Sequence, residues 1–263
     1  MFAFVSDPYF LVFSLGTAFL IQVIFFILAA AYKTDKVTDL SYGLSFVIIT
    51  LLLVWLKKTF FPLQIILAGL IIVWGLRLAV YLFIRILRTK KDVRFDGVRE
   101  NLVKFGAFWF FQALTVWIIM LPSTIALSAS FYQPVTLLTF IGGTVWFIGL
   151  GLESVADWQK FVFKSNPENR GQWLTHGLWQ YSRHPNYFGE MLCWWGLFLI
   201  GLPYLSGWLI LSLFGPFYIT FLLLFVSGIP PLEKRYDQRW QDNQSYQEYK
   251  RKTSLLVPFP PKK

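Results

Sequence analysis

The sequence predicts an all-α integral membrane protein with about seven transmembrane helices. Its composition, its apolar runs and the location of its charges lead to that reading. Of 263 residues, 56% are hydrophobic, 20% aromatic and only 14% charged, whereas soluble domains carry roughly 25% charged residues. Runs of about 20 apolar residues, enough to cross a hydrocarbon layer roughly 30 Å thick, recur along the chain. The formal net charge is +10, but the basic residues sit in short segments between those runs and not on one water-facing surface. That pattern speaks for membrane topology and against nucleic acid as a partner.

The runs cover residues 9–32, 40–56, 61–87, 105–127, 134–152, 187–202 and 208–229. The first ends in Ala29-Ala30-Ala31, which resembles a signal-peptidase site. Its first charge is Asp7, no basic segment precedes it, and it is too long for a signal-peptide core, so it reads as a membrane helix. The fourth contains Pro122 and is expected to kink or end there. Residues 202–207, Leu-Pro-Tyr-Leu-Ser-Gly, leave room only for a turn between the last two helices. Residues 230–263 form a basic tail on a single membrane-embedded domain, 1–263, without internal repeats.

Loop charges orient the bundle, because cytoplasmic loops carry the excess of Lys and Arg. One side has Lys33 and Lys36, seven basic residues from Arg85 to Lys104, four from Lys160 to Arg183, and eight in the tail. The other side has only Lys57 and Lys58. The N-terminus is therefore expected outside and the C-terminus in the cytoplasm.

A charge near the bilayer centre costs about 2.5–3.5 kcal/mol on insertion scales, so ionisable residues inside the runs need partners or a purpose. In the third run Arg77, Tyr81, Arg85 and Arg88 share one helical face. Arg77 lies about 16 Å deeper than Arg88 at 1.5 Å per residue. Snorkelling accounts for Arg85 and Arg88 and poorly for Arg77. A guanidinium beside Tyr81 suits a proton donor to a substrate carbonyl. Asp39, just before the second helix, reads as an N-cap or as a functional carboxylate.

Glu153 and Asp157 stand one turn apart at the end of the fifth run, with Lys160 and Lys164 following. They read as a charged helix end, or as acceptors for ribose hydroxyls or an amide with Lys164 charging a phosphate. The most informative stretch is Tyr181-Ser-Arg-His-Pro-Asn-Tyr-Phe-Gly-Glu190. Pro185 suits a first helical turn, and free N–H groups there with Arg183 and His184 make a candidate anion site. Asn186 and Glu190 then share a face. The tail segments 231–239 and 246–252 fit anionic lipid head groups or a cover over a cofactor.

Other chemistries lack support. Cys193 is the sole cysteine, which excludes a disulfide framework and a thiolate cluster, and His176 and His184 are too few for a zinc site. No Gly-x-Gly-x-x-Gly marks a Rossmann unit.

Glu153-x-x-x-Asp157-x-Gln-Lys-Phe, Lys164-Ser-Asn-Pro and Gly177-Leu-Trp-x-Tyr-Ser-Arg-His-Pro-Asn-Tyr-Phe-Gly-Glu190 resemble the membrane-bound steroid 5-alpha-reductase family, especially its uncharacterised bacterial branch. Trp74-x-x-Arg77-Leu-x-x-Tyr81-Leu-x-x-Arg85 and Asp92-x-Arg94 extend the likeness over most of the chain after the first helix. Isoprenylcysteine carboxyl methyltransferases and sterol reductases carry similar Arg-His-Pro stretches. The resemblance implies a multi-pass protein, in a bacterium of the inner membrane, whose site opens to the cytoplasm and binds NADPH to reduce an activated carbon–carbon double bond. By position it assigns the cofactor to Glu153, Asp157, Lys164, Asn186 and Glu190, with Glu233, Arg235 and Tyr236 from the tail; Arg183 and His184 of the anion site and Tyr187 complete the candidate cofactor set. It assigns the proton-donor role to Tyr81, with Arg77 and Asp39 in support. The family's reductases commonly have Asn at the position of Glu153, and their second-helix Glu has no counterpart here except Asp39.

Three expectations follow: an NADPH-dependent reductase of a lipophilic enone, an S-adenosylmethionine-dependent methyltransferase, or a non-catalytic lipid-binding protein.

Overall fold

The computed structural model describes residues 9–90 and 92–262; Asp7, Lys91 and Lys263, which entered the charge argument, lie outside them. The described residues contain no strand and nine α-helices: α1 (Tyr9–Ala31), α2 (Thr38–Lys57), α3 (Pro62–Thr89), α4 (Leu102–Ser128), α5 (Leu137–Ser165), α6 (Pro185–Gly201), α7 (Phe214–Phe221), α8 (Ile229–Trp240) and α9 (Gln244–Lys252). Six helical stretches are long and apolar enough to cross a membrane: α1 to α5 and the stretch Gly207–Trp240. The 17 residues of α6 add about 25 Å at 1.5 Å per residue. The chain is therefore an all-α, multi-pass membrane protein with about seven crossings. Large apolar side chains such as Val12, Leu20, Ile24 and Ile27 on α1 and Phe140, Phe147 and Ile148 on α5 point outward, as lipid-facing residues do.

One local expectation is narrowed to a single alternative and two need correction. Pro122 does not end α4, which continues to Ser128. Proline forfeits its hydrogen bond to Ile118 O, and Gly215 packs against that carbonyl so closely that a Cβ would sit 2.8 Å away. Asp39 is not the N-cap of α2, because Val37 holds that position and Asp39 lies within the first turn, where its carboxylate reaches Arg85 instead. The last apolar run is not one α-helix: a 3-10 stretch, Gly207–Leu213, leads into α7, and a π-helical turn, Leu222–Val226, follows it. Gly228 approaches Leu223 O so tightly that only glycine fits, and Pro230 and Pro231 have no N–H to continue the ladder, so the chain restarts as α8.

The chain forms two compact units. The first comprises Met1–Phe140 with Leu197–Gly215, and the second Ile141–Gly196 with Pro216–Lys263. In the first, α2 packs on α1, α3 and α4. A Cβ at Gly43 would meet Gly75 O and Ala79 N at 2.9 Å, so α2 and α3 are in backbone contact. Between α1, α2 and α4, Gln22 donates to Ser45 Oγ (2.8 Å), and Gln112 donates to Gln22 Oε1 (2.9 Å) and Ser41 Oγ (3.0 Å). Buried amides in a hydrocarbon setting must bond to one another, and these tie the three helices together.

The second unit rests on the contact of α5 with α6. A Cβ at Gly149 would lie 2.6 Å from Gly189 O, and one at Gly196 would lie 2.6 Å from Gly142 O. Two glycine pairs seven residues apart on each helix thus let the backbones meet, the small-residue solution for helices in lipid. Gly149→Val is expected to destabilise the protein by about 1–3 kcal/mol, the usual cost of overpacking. Gly151→Ala, which would meet open space, should be neutral, and thermal unfolding in detergent of the two variants beside the parent checks both.

Candidate functional site

In the second unit the α5–α6 contact sets the polar residues. Gly189 lies against the backbone of Glu153, and one turn further along α5 Asp157 accepts a hydrogen bond from Asn186 Nδ2 at 3.2 Å. Both carboxyl side chains are inside, Glu153 at 2% and Asp157 at 6% exposure, so they are not a solvated helix end. Pro185 opens α6 as expected, and Asn186, Tyr187 and Glu190 occupy its first two turns, half-buried.

The approach to α6 is held from both directions. Gly177 adopts φ +65°, which a side chain would resist, and Leu178 N–H donates to Gln159 Oε1 of α5 at 2.9 Å. Trp179 Nε1 donates to Ala156 O at 3.1 Å. From the tail, residues 254–259 run beside 181–183. Arg183 N–H donates to Ser254 O (2.9 Å), Ser182 Oγ to Leu256 O (2.6 Å), and Phe259 N–H to Tyr181 O (3.2 Å).

Glu233 of α8 is the hub of the charged cluster. It forms an ion pair with Arg183, accepts from His184 Nε2 at 2.8 Å, and lies 3.6 Å from Lys250 Nζ. Lys250 also binds Asp237 at 2.6 Å. The His184 ring stacks on Tyr187, with centroids 5.6 Å apart and planes 4° from parallel. His184 is 1% exposed, and burial holds its pKa below the ordinary 6.5 although Glu233 pulls the other way. A neutral imidazole facing a carboxylate must carry its proton on Nε2, which leaves Nδ1 a bare acceptor. Likewise Asn186, with its amide N–H on Asp157, presents Oδ1.

Three buried polar atoms in this segment have no hydrogen-bond partner: Arg183 Nε, His184 Nδ1 and Asn186 Oδ1. Buried polar atoms are bonded as a rule, and a cluster of exceptions marks where another polar group belongs. One donor and two acceptors suit a ligand that carries an anionic oxygen and N–H or O–H groups.

A family model described as "Protein of unknown function (DUF1295)" matches residues 25–253. The chain belongs to this family. No curated protein and no solved structure matches it. The match takes in every candidate residue from Asp39 to Tyr236, and Lys250 besides.

Of the tail residues assigned by resemblance, Glu233 joins Arg183 and His184. Tyr236 is half-buried against Trp240, with ring centroids 5.3 Å apart, and Arg235 is exposed. Lys164 is exposed and donates to Gln172 O at 3.4 Å. Lys250 was missed, because nothing local distinguishes it from its basic neighbours Arg251 and Lys252. Ser182 was missed because its partner, Leu256, lies 74 residues away.

The proposed proton-donor residues belong to the first unit. Arg77 and Tyr81 are half-buried one turn apart on α3, with the guanidinium carbon 6.0 Å from the Tyr81 ring centroid. Asp39 is held by Arg85 at 2.7 Å and Arg94 at 3.3 Å, and Arg94 also binds Asp92 at 2.6 Å. Asp39 thus closes an ion cluster at the helix ends.

A histidine whose folded pKa is depressed favours folding above its unfolded value, and that contribution disappears as pH falls through the folded pKa. Stability should therefore decline as pH drops below about 6.5, and the decline should be shallower in His184→Gln. Unfolding midpoints of both proteins in detergent from pH 7.5 to 5 measure it; parallel curves would mean that His184 is not the titrating group.

Proposed function

We propose that this protein is an NADPH-dependent membrane reductase acting on the activated carbon–carbon double bond of a lipophilic enone, a 3-oxo-steroid-like or isoprenoid ketone. The observation that carries this reading is the set of unsatisfied buried atoms of Arg183, His184 and Asn186 beside Asp157. A nicotinamide dinucleotide offers amide and ribose donors for the two acceptors and a diphosphate for the guanidinium. Bound NADPH would supply the hydride. Glu153, Asp157, Asn186 and Glu190 accept from the polar groups of the cofactor, and Tyr187 keeps the His184 ring in place. Lys164 and Arg235, both exposed, offer charge to its phosphates, and Glu233 with Tyr236 holds the tail side. Tyr81, supported by Arg77 and Asp39, meets the negative charge that develops on the substrate oxygen. The resemblance to membrane-bound steroid 5-alpha-reductases supports these roles.

The same donor set suits the ammonium and carboxylate of S-adenosylmethionine, and the Glu233 bridge to Arg183 and His184 is the observation that favours a methyltransferase as the second reading. Thermal-shift measurements in detergent separate the two, because only a bound ligand stabilises by mass action, about 2.7 kcal/mol at a hundredfold excess over Kd. NADPH should raise the melting temperature and S-adenosylmethionine should not. Glu190→Ala should abolish the NADPH shift while melting close to the parent without ligand. Stabilisation by S-adenosylmethionine alone would overturn the reductase in favour of the methyltransferase.

The reading carries an orientation as well, with the N-terminus outside, the tail in the cytoplasm of a bacterial inner membrane, and the site open to cytoplasmic cofactor. Single cysteines introduced at Ser130 and Ser245 should react with impermeant reagents from opposite faces; labelling of both from one face would sink the orientation.

A further inference from the structure

The segment that follows α9 lies at the level where the helices of the second unit meet the membrane surface. Trp179 Nε1 donates to Ala156 O at 3.1 Å and Leu178 N–H to Gln159 Oε1 at 2.9 Å, so the chain just before α6 is level with the turn of α5 that carries Trp158. Trp158 is 63% exposed, and Val155 and Val162 are exposed about one turn to either side of it. An outward tryptophan near the end of a lipid-facing helical stripe marks the headgroup level. Tyr249 Oη donates to Trp179 O at 2.7 Å, and residues 254–259 bond to 181–183, which holds α9 and the segment after it at that level.

Two kinds of side chain are left over there. Tyr181, Leu255 and Phe259 are exposed although their backbones are engaged, Phe259 at 60%. Beside them are cations. Lys262 N–H donates to Lys252 O at 3.0 Å, and Pro260 and Pro261 separate Lys262 from Phe259 by about 9 Å at 3.1 Å per residue. Lys252, Lys262 and the adjoining Arg251 therefore stand next to the apolar side chains. Lys252 binds Glu248 at 2.9 Å, whereas Arg251 and Lys262 are exposed and form no ion pair among the described residues. Apolar side chains next to uncompensated cations at headgroup depth match a leaflet that contains anionic lipid: the first enter the acyl boundary and the second meet the phosphates.

We infer that residues 251–262 are an interfacial anchor that binds anionic lipid headgroups of the leaflet at which α6 begins, and that lipid bound there clamps residues 181–183. The coupling is direct. Arg183 N–H donates to Ser254 O, Ser182 Oγ to Leu256 O and Phe259 N–H to Tyr181 O, so whatever restrains 254–259 restrains the loop that carries Arg183 and His184. In the orientation proposed above this is the cytoplasmic leaflet. The anchor is indifferent to which cofactor binds.

The test uses the full chain, a single copy in each lipid nanodisc, and reads amide hydrogen exchange of residues 181–184 and 254–259. In discs of phosphatidylcholine with phosphatidylglycerol these amides should exchange roughly 10–100-fold more slowly than in phosphatidylcholine alone, as two or three cations at roughly fivefold each would give. Arg251→Gln combined with Lys262→Gln should remove most of that difference and leave exchange in phosphatidylcholine unchanged, while Phe259→Ser should speed exchange in both lipids. Salt at about 1 M, where the screening length is about 3 Å, should remove the difference in the parent protein, so the outcome does not depend on any variant folding. Equal exchange in the two lipids, or a difference that survives the double variant or the salt, overturns the anchor. Slowing in phosphatidylcholine by free glycerol phosphate would assign the cations to a soluble phosphate, and slowing only in discs that hold a pair of copies would assign the surface to a second copy of the chain; either result rejects the lipid anchor.

Discussion

The backbone contact between α5 and α6 governs the geometry of the candidate site. Lipid tails are as apolar as leucine, so no hydrophobic force drives two helices together within a membrane, and close van der Waals packing must serve. Gly149 against Gly189 and Gly142 against Gly196 provide it. Because Gly189 lies between Asn186 and Glu190 in sequence and faces Glu153, the same contact sets the carboxylates of α5 beside the polar first turns of α6. A bulkier residue at Gly189 would separate Asn186 from Asp157 and expose two buried carboxyl groups to an unpaired apolar setting.

The tail completes what the helices leave open. Arg183 and His184 precede α6 in a loop whose backbone groups need partners, and residues 254–259 supply them. Glu233 then offsets the charge of Arg183 in a buried place where an unpaired guanidinium would be costly. Its bond to His184 Nε2 also fixes the tautomer, so a residue 49 positions away decides that Nδ1 is the acceptor. The polar atoms of the motif are therefore oriented by side chains outside it, as in metal sites where outer partners aim the ligands.

The first unit divides its polar residues in a different way. At the helix ends Asp39, Arg85, Asp92 and Arg94 saturate one another, and deeper in the bundle Gln22, Ser41, Ser45 and Gln112 do the same. Both groups explain themselves as fold. Arg77 and Tyr81 lie one turn apart on α3, half-buried, with the guanidinium carbon 6.0 Å from the Tyr81 ring centroid.

Sequence alone determined the class and the helices, because crossing a bilayer imposes length and composition on each segment separately: α1 to α4 begin and end within a few residues of their apolar runs. It also determined that Pro185 would open α6 with Asn186 and Glu190 on one face, since both follow from helical period and local chemistry. Asp39 was misread because its outcome is set by a partner elsewhere, Arg85 of α3. The π-helical turn before Gly228 depends likewise on how the chain packs upon itself. What only the tertiary structure decided is which buried polar atoms find a hydrogen-bond partner within the chain and which do not. Glu233 and Lys250 could not be separated from other charges of a basic tail, because hydrogen bonds and ion pairs join residues that the local sequence keeps far apart.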